Sequence, residues 1–418
     1  MRVSKWSVRL TWLLGALWWL SAGVPTGQAA VSSVERLRTE AEELLLQGQE
    51  EQALQKYAQA LARARETGEH DREWRLLDRM GRIYLERDQF ELALEHFQQG
   101  LKVVLDTGDR AAQASQLAAV AETYNLLQQP QQAIATYESL LSLEQERQDR
   151  VGQWRAFYGL GFSQKANGSP AQAVPYIQRA LELARNLEDQ SLESQALQEL
   201  EADYAGLGDY AQVARYSEEL VQLARAMGDR PLAADKLATS GYAYEQLENF
   251  QRAAAQYRAA LDTYRDLHDA RGEWRVLDDL GRLAAKQGDT TEAVARYQDA
   301  FNVAQRAGLR AGQVGTLEHT AAAYRRAKDY GKATEYYQQA LKAAKEAKLR
   351  EYEWLVLSDL AGMYGEMGNT KGAVTHYRQA LTVVRQLGDK DAEKQLQEAM
   401  TPFEKPPSSK DSKPPRKR

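Results

Sequence analysis

Residues 271–310 read RGEWRVLDDLGRLAAKQGDTTEAVARYQDAFNVAQRAGLR, and this pattern of apolar, small and polar positions returns every 40 residues along the chain. Its second half holds Ala293, Tyr297 and Phe301, spaced by four, which is one face of a helix. In steps of 40 the small position gives Ala53, Ala93, Ala133, Ala173, Val213, Ala253, Ala293, Ala333 and Ala373. The next position gives Tyr57, Phe97, Tyr137, Ile177, Ser217, Tyr257, Tyr297, Tyr337 and Tyr377. The register holds through nine copies without insertion or deletion, so the fold follows from the repeat before any motif is considered.

The first half of the quoted stretch carries a second apolar series. Leu37, Leu77, Leu117, Phe157, Leu197, Leu237, Leu277, Leu317 and Leu357 are its anchors. Four residues later come Gly81, Ala121, Gly161, Gly241, Gly281, Ala321 and Ala361, small enough to let neighbouring helices approach closely. Between the halves lie Ser169, Asp209, Asn249, Asp289, Asp329 and Asn369, side chains that cap the free N–H groups of a helix start. Between repeats, Gly108-Asp109, Gly228-Asp229 and Gly388-Asp389 read as a left-handed helix stop followed by a cap. Each repeat is therefore expected to be a helical hairpin.

This pattern, L-x-x-L/M-G-x-x-Y in the first helix and A-x-x-x-Y/F-x-x-A/G-L in the second, resembles the tetratricopeptide repeat over residues 31 to 390. The period of 40 is longer than the usual repeat of about 34 residues, and the Pro usual near the end of the second helix is missing. It looks like the variety found in kinesin light chains and G-protein modulators. The resemblance implies an all-α, right-handed superhelical solenoid of nine hairpins, in which each repeat touches mainly the next. Only Pro130, Pro170, Pro175 and Pro231 fall between residues 31 and 400 and no Pro-rich linker interrupts them, so one continuous array is expected. Residues 391–400 continue the frame as a partial tenth first helix, with Lys394 and Gln397 in place of apolar anchors, which suits a solenoid end.

The N-terminus has another character. Arg2, Lys5 and Arg9 precede an apolar run from Leu10 to Leu20 and a small-residue segment ending Gly27-Gln28-Ala29-Ala30, the layout of a secretory signal peptide over residues 1–30. The same run kept as a membrane anchor is the alternative, though it is short for a span. Ser32-x-x-Glu35 would then box the first mature helix. The chain has no cysteine, so neither lipid attachment near the cleavage point nor disulfides are available. Export without thiols fits an oxidising compartment, with a bacterial periplasm as the expected location.

Of the formal charge of −5, the N-terminal segment contributes +3 and residues 401–418 contribute +4, leaving −12 for residues 30–400. That acidity argues against sequence-independent nucleic-acid binding. Residues 401–418 hold five prolines and six Lys or Arg, the composition of a disordered basic tail. Weak contact with an anionic surface through Lys413, Arg416, Lys417 and Arg418 is one role for it, and a solubilising terminus is the other.

No phosphate-cradling glycine loop, no serine elbow and no paired histidines at metal-ligand spacing are found among His70, His96, His268, His319 and His376. The expectation is a non-enzyme without catalytic residues, metal or cofactor. Trp74, Trp154, Trp274 and Trp354 share one repeat position three residues before the leucine anchor, so they are expected in the core.

Positions beside that stripe face the concave groove that the family resemblance implies. They are Arg75, Asp78, Arg79 and Arg82 in repeat two, and Arg155, Tyr158, Phe162 and Lys165 in repeat four. Tyr242 lies in repeat six, Arg275, Asp278, Asp279 and Arg282 in repeat seven, and Arg325 with Arg326 in repeat eight. Arg and aromatic side chains anchor interfaces, so Arg75, Arg79, Arg82, Arg155, Tyr158, Phe162, Tyr242, Arg275, Arg282 and Arg325 are the expected partner contacts. The alternative for each is a mixed-charge surface with local ion pairs. Reversing the charge of Arg75, Arg79 and Arg82 is expected to remove binding and leave the helical melt nearly unchanged. The family's carboxylate clamp for chaperone C-termini needs Lys and Asn where this chain has Asp78, Arg82, Ala118, Glu122, Tyr158 and Phe162, so that binding is not implied.

Repeats four and five break the pattern with Pro175, Glu201 and Ser217, and a less regular middle is expected there. The function expected is a scaffold or adaptor in the cell envelope that holds an extended segment or helix of a protein partner. A peptide-sensing regulator and an accessory protein for an envelope glycan are the alternatives.

Overall fold

The computed structural model describes residues 32–404; the signal-peptide reading of residues 1–30 and the tail beyond Glu404 lie outside the described residues. Nineteen helices and no strand are present among them, in two compact units that divide between Gln148 and Asp149. The first holds α1 (Ser33–Leu46), α2 (Glu50–Thr67), α3 (His70–Glu86), α4 (Phe90–Thr107), α5 (Arg110–Leu126) and α6 (Pro130–Glu146). The second begins with α7 (Arg150–Ala166), α8 (Pro170–Asn186), α9 (Gln190–Leu207), α10 (Tyr210–Met227), α11 (Arg230–Gln246), α12 (Phe250–Asp266) and α13 (Ala270–Lys286). It continues with α14 (Thr290–Arg306), α15 (Arg310–Arg326), α16 (Tyr330–Glu346), α17 (Arg350–Glu366), α18 (Thr370–Leu387) and α19 (Lys390–Glu404). Each unit is by itself an all-α stack of antiparallel helical hairpins.

The structure repeats every 20 residues, half the sequence period. From Gly48 to Gly388 each turn places one residue in the left-handed region, ten of them glycine and eight not: Asp88, Gln128, Gln148, Glu188, Glu248, His268, Lys328 and Lys348. The residue after it donates its N–H back to a carbonyl five residues earlier, as in Gln89 to Tyr84 and Asn249 to Tyr244, both 2.9 Å, which closes the preceding helix. Asp209, Asn249, Asp289, Asp329 and Asn369 then accept an N–H of the second helix as expected, while Ser169 makes no side-chain cap. Asp109, Asp229 and Asp389 cap the first helices in the same way, and Ser32 accepts from Glu35.

The core repeats a contact between small and large residues. A Cβ on Gly241 would lie 2.7 Å from the Tyr257 ring, and one on Gly281 2.6 Å from Tyr297, so glycine is what lets the ring of the second helix seat against the first. Tyr57, Phe97, Tyr257 and Tyr337 are fully buried in this way, each worth about 1.5 to 3 kcal/mol. Trp154 is buried as expected, and Trp274 and Trp354 pack half-buried against their clusters. Trp74 is also half-buried, with the Arg75 guanidinium 4.7 Å over its ring.

The expected irregular middle is not seen. Pro175 is exposed on an uninterrupted α8, and α9 and α10 run their full length. The reason is a matched replacement: Glu201 stands where other hairpins have Gly or Ala, and Ser217 stands where they have a ring or, at Ile177, a large aliphatic side chain. The terminal helix also runs past the expected end at residue 400. α19 extends to Glu404, burying Met400 and stacking Phe403 on Tyr377 with ring centroids 6.1 Å apart, while Lys394 and Gln397 face solvent.

Candidate partner-binding face

In the second unit the first helices of successive hairpins touch one another, α11 with α13, α13 with α15 and α15 with α17. They form the inner side of that stack, and a ladder of charge pairs joins them. Lys165 on α7 reaches Glu199 and Asp203 on α9, the latter at 2.7 Å. Arg282 and Lys286 on α13 converge on Glu245 of α11, whose side chain is fully buried, and Arg282 also meets Asp279 at 2.6 Å. His319 on α15 bonds Asp278 of α13 at 2.8 Å, and Arg325 holds Glu366 of α17 at 2.6 Å. Arg326 donates to the Ala285 carbonyl at 3.0 Å. In the first unit Arg79 grips Glu42 of α1 with two bonds of 3.2 and 3.1 Å, and Gln116 of α5 donates to Asp78 at 3.0 Å.

These pairs show where the sequence-predicted residues stand. In the first unit Arg75 is exposed and pairs with Asp71 one turn before it, Arg79 is taken by Glu42, and Arg82 is taken by Asp78 at 2.6 Å. In the second unit Arg275 bonds Asp235 and the Tyr264 hydroxyl, both at 2.8 Å. Arg282 and Arg325 are rungs of the ladder. Tyr158 stacks on Trp154 at 4.8 Å, and burial raises its hydroxyl pKa. The structure brings Tyr242 and Arg282 together, with the guanidinium 5.9 Å from the ring. It leaves Phe162 and Tyr242 with 44% and 42% of their surface exposed, and Arg155 exposed.

Phe162 and Tyr242 occupy the same position of their first helices, 80 residues apart, with Ala202 between them in the repeat and Arg282, Ala322 and Gly362 following. Apart from Arg282, which is paired with Glu245 and Asp279, that column is a strip of exposed rings and small residues.

Residues that sequence reasoning missed are mainly the acids: Glu245, Glu199, Asp203, Glu318, Asp359 and Glu366. Burial raises the Glu318 carboxyl to about 7, and the neighbouring Asp359 carboxyl is raised for the same reason. Burial pulls the His319 imidazole down, but its bond to Asp278 wins and holds it at about 9. The signal available in the sequence was an acid about 40 residues from Arg79, Arg275, Arg282 and Arg325. Another concavity of about 520 Å³ opens on the side of the second helices, lined by Arg215, Glu219, Val221, Arg225, Leu237 and Ala259. Among the described residues no group of three acids, histidines or cysteines is arranged to hold a metal ion, and no helix is long and apolar enough to cross a membrane.

Stacked hairpins with an inner face of first helices define an α-solenoid. The family model for the tetratricopeptide repeat matches residues 41–106, 274–346 and 313–386, which fall in both units, and the chain is a tetratricopeptide-repeat protein. No curated protein sequence matches it. Among solved structures it is similar to a signal-transduction ATPase with a tetratricopeptide repeat sensor from Pyrococcus horikoshii, at 15% identity and a TM-score of 0.51 over 78% of this chain and 50% of that one. It is also similar to BtubC (BKLC) from P. vanneervenii, at 20% identity and TM-score 0.42 over 52% and 92% of the two chains. A third is aspartyl phosphate phosphatase F from Bacillus subtilis, at 14% identity and TM-score 0.46 over 86% and 96%. At these identities the likeness concerns the fold alone.

Proposed function

We propose that the protein is a non-enzymatic scaffold or adaptor which holds a helix or extended segment of a partner protein along the inner face of its first helices. The observation that carries this reading is the column with Phe162 and Tyr242 at one repeat position, both more than two-fifths exposed on helices whose charged neighbours are satisfied internally. Exposed rings beside small residues offer apolar area with little conformational entropy to lose, which is what interface anchors require. The groove arginines named by the sequence act in this reading mainly as braces between hairpins, and the aromatics as contacts.

The work is assigned to the cell envelope on the strength of the N-terminal sequence, Arg2, Lys5 and Arg9 before the Leu10 to Leu20 run. Fractionation and N-terminal sequencing of the natural protein test that assignment: a start near Ala30 supports it, and an intact N-terminus in the cytoplasm overturns it. For the binding face, affinity capture with the protein and with F162A/Y242A is compared. Loss of a partner from the double variant, with an unchanged melting curve, supports the face; equal recovery overturns it.

A further inference from the structure

The inner face of the second unit answers its acids with cations, with one exception. In α3 and α13 the acids Asp78 and Asp279 are met inside their own helix by Arg82 and Arg282, each at 2.6 Å. Glu318 occupies the repeat position of Asp78, and Asp359 that of Asp279, but Ala322 and Gly362 stand where the two arginines would be. Other cations nearby are committed elsewhere. His319 is held by Asp278 at 2.8 Å and stays 3.7 Å from the nearest Glu318 carboxylate oxygen, Arg326 is held by the Ala285 carbonyl, and Arg282 by Glu245 and Asp279. Arg325 is held by Glu366 at 2.6 Å and stays 3.8 Å from the nearest Asp359 carboxylate oxygen.

Glu318 and Asp359 therefore turn to one another in hydrogen-bonding contact. A second observation points into the same place. Tyr337 on α16 is fully buried and its hydroxyl has no hydrogen-bond partner, while its charged neighbours are Asp359, Arg325 and Glu318. In the hairpin two before it, the corresponding Tyr257 donates its hydroxyl to Glu245 at 3.1 Å. The Glu318 and Asp359 side chains are 24% and 39% exposed, so an incoming group reaches them from the inner face.

We propose that Glu318, Asp359 and the Tyr337 hydroxyl oxygen form a receptor for an ammonium group, the side chain of a lysine carried by the partner segment. Three oxygen acceptors match the three N–H donors of a compact ammonium better than the flat fork of a guanidinium. The charge of −12 over residues 30–400 draws such a segment in. The proposal rests on the reading of the inner face as the binding face and adds the chemistry of one contact. As the ammonium enters, the proton shared by the two carboxyl groups leaves to solvent and the oxygens accept N–H bonds in its place.

Trilysine amide is the probe, titrated calorimetrically into the full-length mature protein at pH 6.5 in two buffers of different ionisation enthalpy. Its counterpart acetylated on all side-chain amines, and calcium chloride alone, serve as controls. Trilysine is expected to bind with release of about one proton. The acetylated peptide should not bind, and E318Q/D359N should bind at least tenfold more weakly with its helical melt intact. Y337F, which keeps the ring in the core, is expected to weaken binding about threefold. Equal affinity for E318Q/D359N, binding without proton release, or binding of calcium but not trilysine would each overturn the proposal. If trilysine fails while a partner is still captured through Phe162 and Tyr242, this receptor is refuted and the scaffold reading stands.

Discussion

The Ser217 hydroxyl donates to Glu201 Oε1 at 2.5 Å inside the core, and Glu201 in turn pairs with the buried Lys236. In the other hairpins the position of Glu201 is Gly or Ala and the position of Ser217 is an aromatic or Ile, with the ring or side chain of one filling the space left by the other. Hairpin five reverses the sizes and adds a cation from the next hairpin, where Val276 and Leu76 stand at the position of Lys236. Two apparent defects in the repeat are therefore one compensated substitution.

Removing part of this set is expected to cost more than replacing all of it. E201G leaves Lys236 buried without a partner and should destabilise the protein by about 3 to 5 kcal/mol. S217Y alone forces a ring against Glu201 and should cost about 1 to 3 kcal/mol. The triple variant E201G/S217Y/K236V restores the common pattern and should lie within about 1 kcal/mol of the parent. Urea unfolding of the four proteins checks the order.

Turn positions give a prediction of opposite sign. Glu248, Lys328 and Lys348 hold φ of 56°, 61° and 58° at places where ten other turns have glycine. A side chain in that region costs roughly 1 kcal/mol. E248G, K328G and K348G should each stabilise the fold by about that amount, whereas G208A should destabilise it similarly. Thermal melts under one buffer suffice to compare them.

The braces of the ladder separate buried from exposed charge. R282E places a like charge against Glu245 and Asp279 and is expected to cost about 3 kcal/mol, while R75E breaks one exposed pair and should cost less than about 0.5 kcal/mol. The same reasoning corrects the expectation that reversing Arg75, Arg79 and Arg82 spares the melt. Arg79 and Arg82 are answered by Glu42 and Asp78, so that triple reversal should lower the melting temperature as well as any binding.

Stability should fall with rising pH above about 4.5. Glu318 has its folded pKa raised to about 7 from 4.5, so its contribution is full below the unfolded value and is lost as pH rises through about 7. His319, raised to about 9 from 6.5, contributes fully below 6.5 and loses that contribution through about 9. The urea midpoint should drop between pH 5 and 9, and in E318Q the fall between pH 5 and 7 should be smaller. A midpoint that rises with pH in the parent protein would contradict this account.

The hairpins were legible because a core position must meet the same neighbour in every copy: Ala253, Tyr257 and Leu277 repeat with little choice. Caps such as Asp289 were legible because they act within their own turn. The face was less so. Arg282 looks like a free anchor in the sequence, yet it is held by Asp279 of its own helix and by Glu245, which lies on the preceding hairpin. Whether such an acid is present differs from one copy to the next, so the repeat does not announce it. Phe162 and Tyr242 remain available because more than two-fifths of each side chain stays exposed, Tyr242 even with Tyr210 and Arg282 at the ring.

The most direct test of the inner-face account is site-specific photocrosslinking in the native host cells, with the photoreactive residue at position 162, at 242, or at Gln222 on the side of the second helices. The account predicts one common partner adduct from 162 and 242 and none from 222. An adduct from 222 alone would place the partner in the opposite cleft and contradict it.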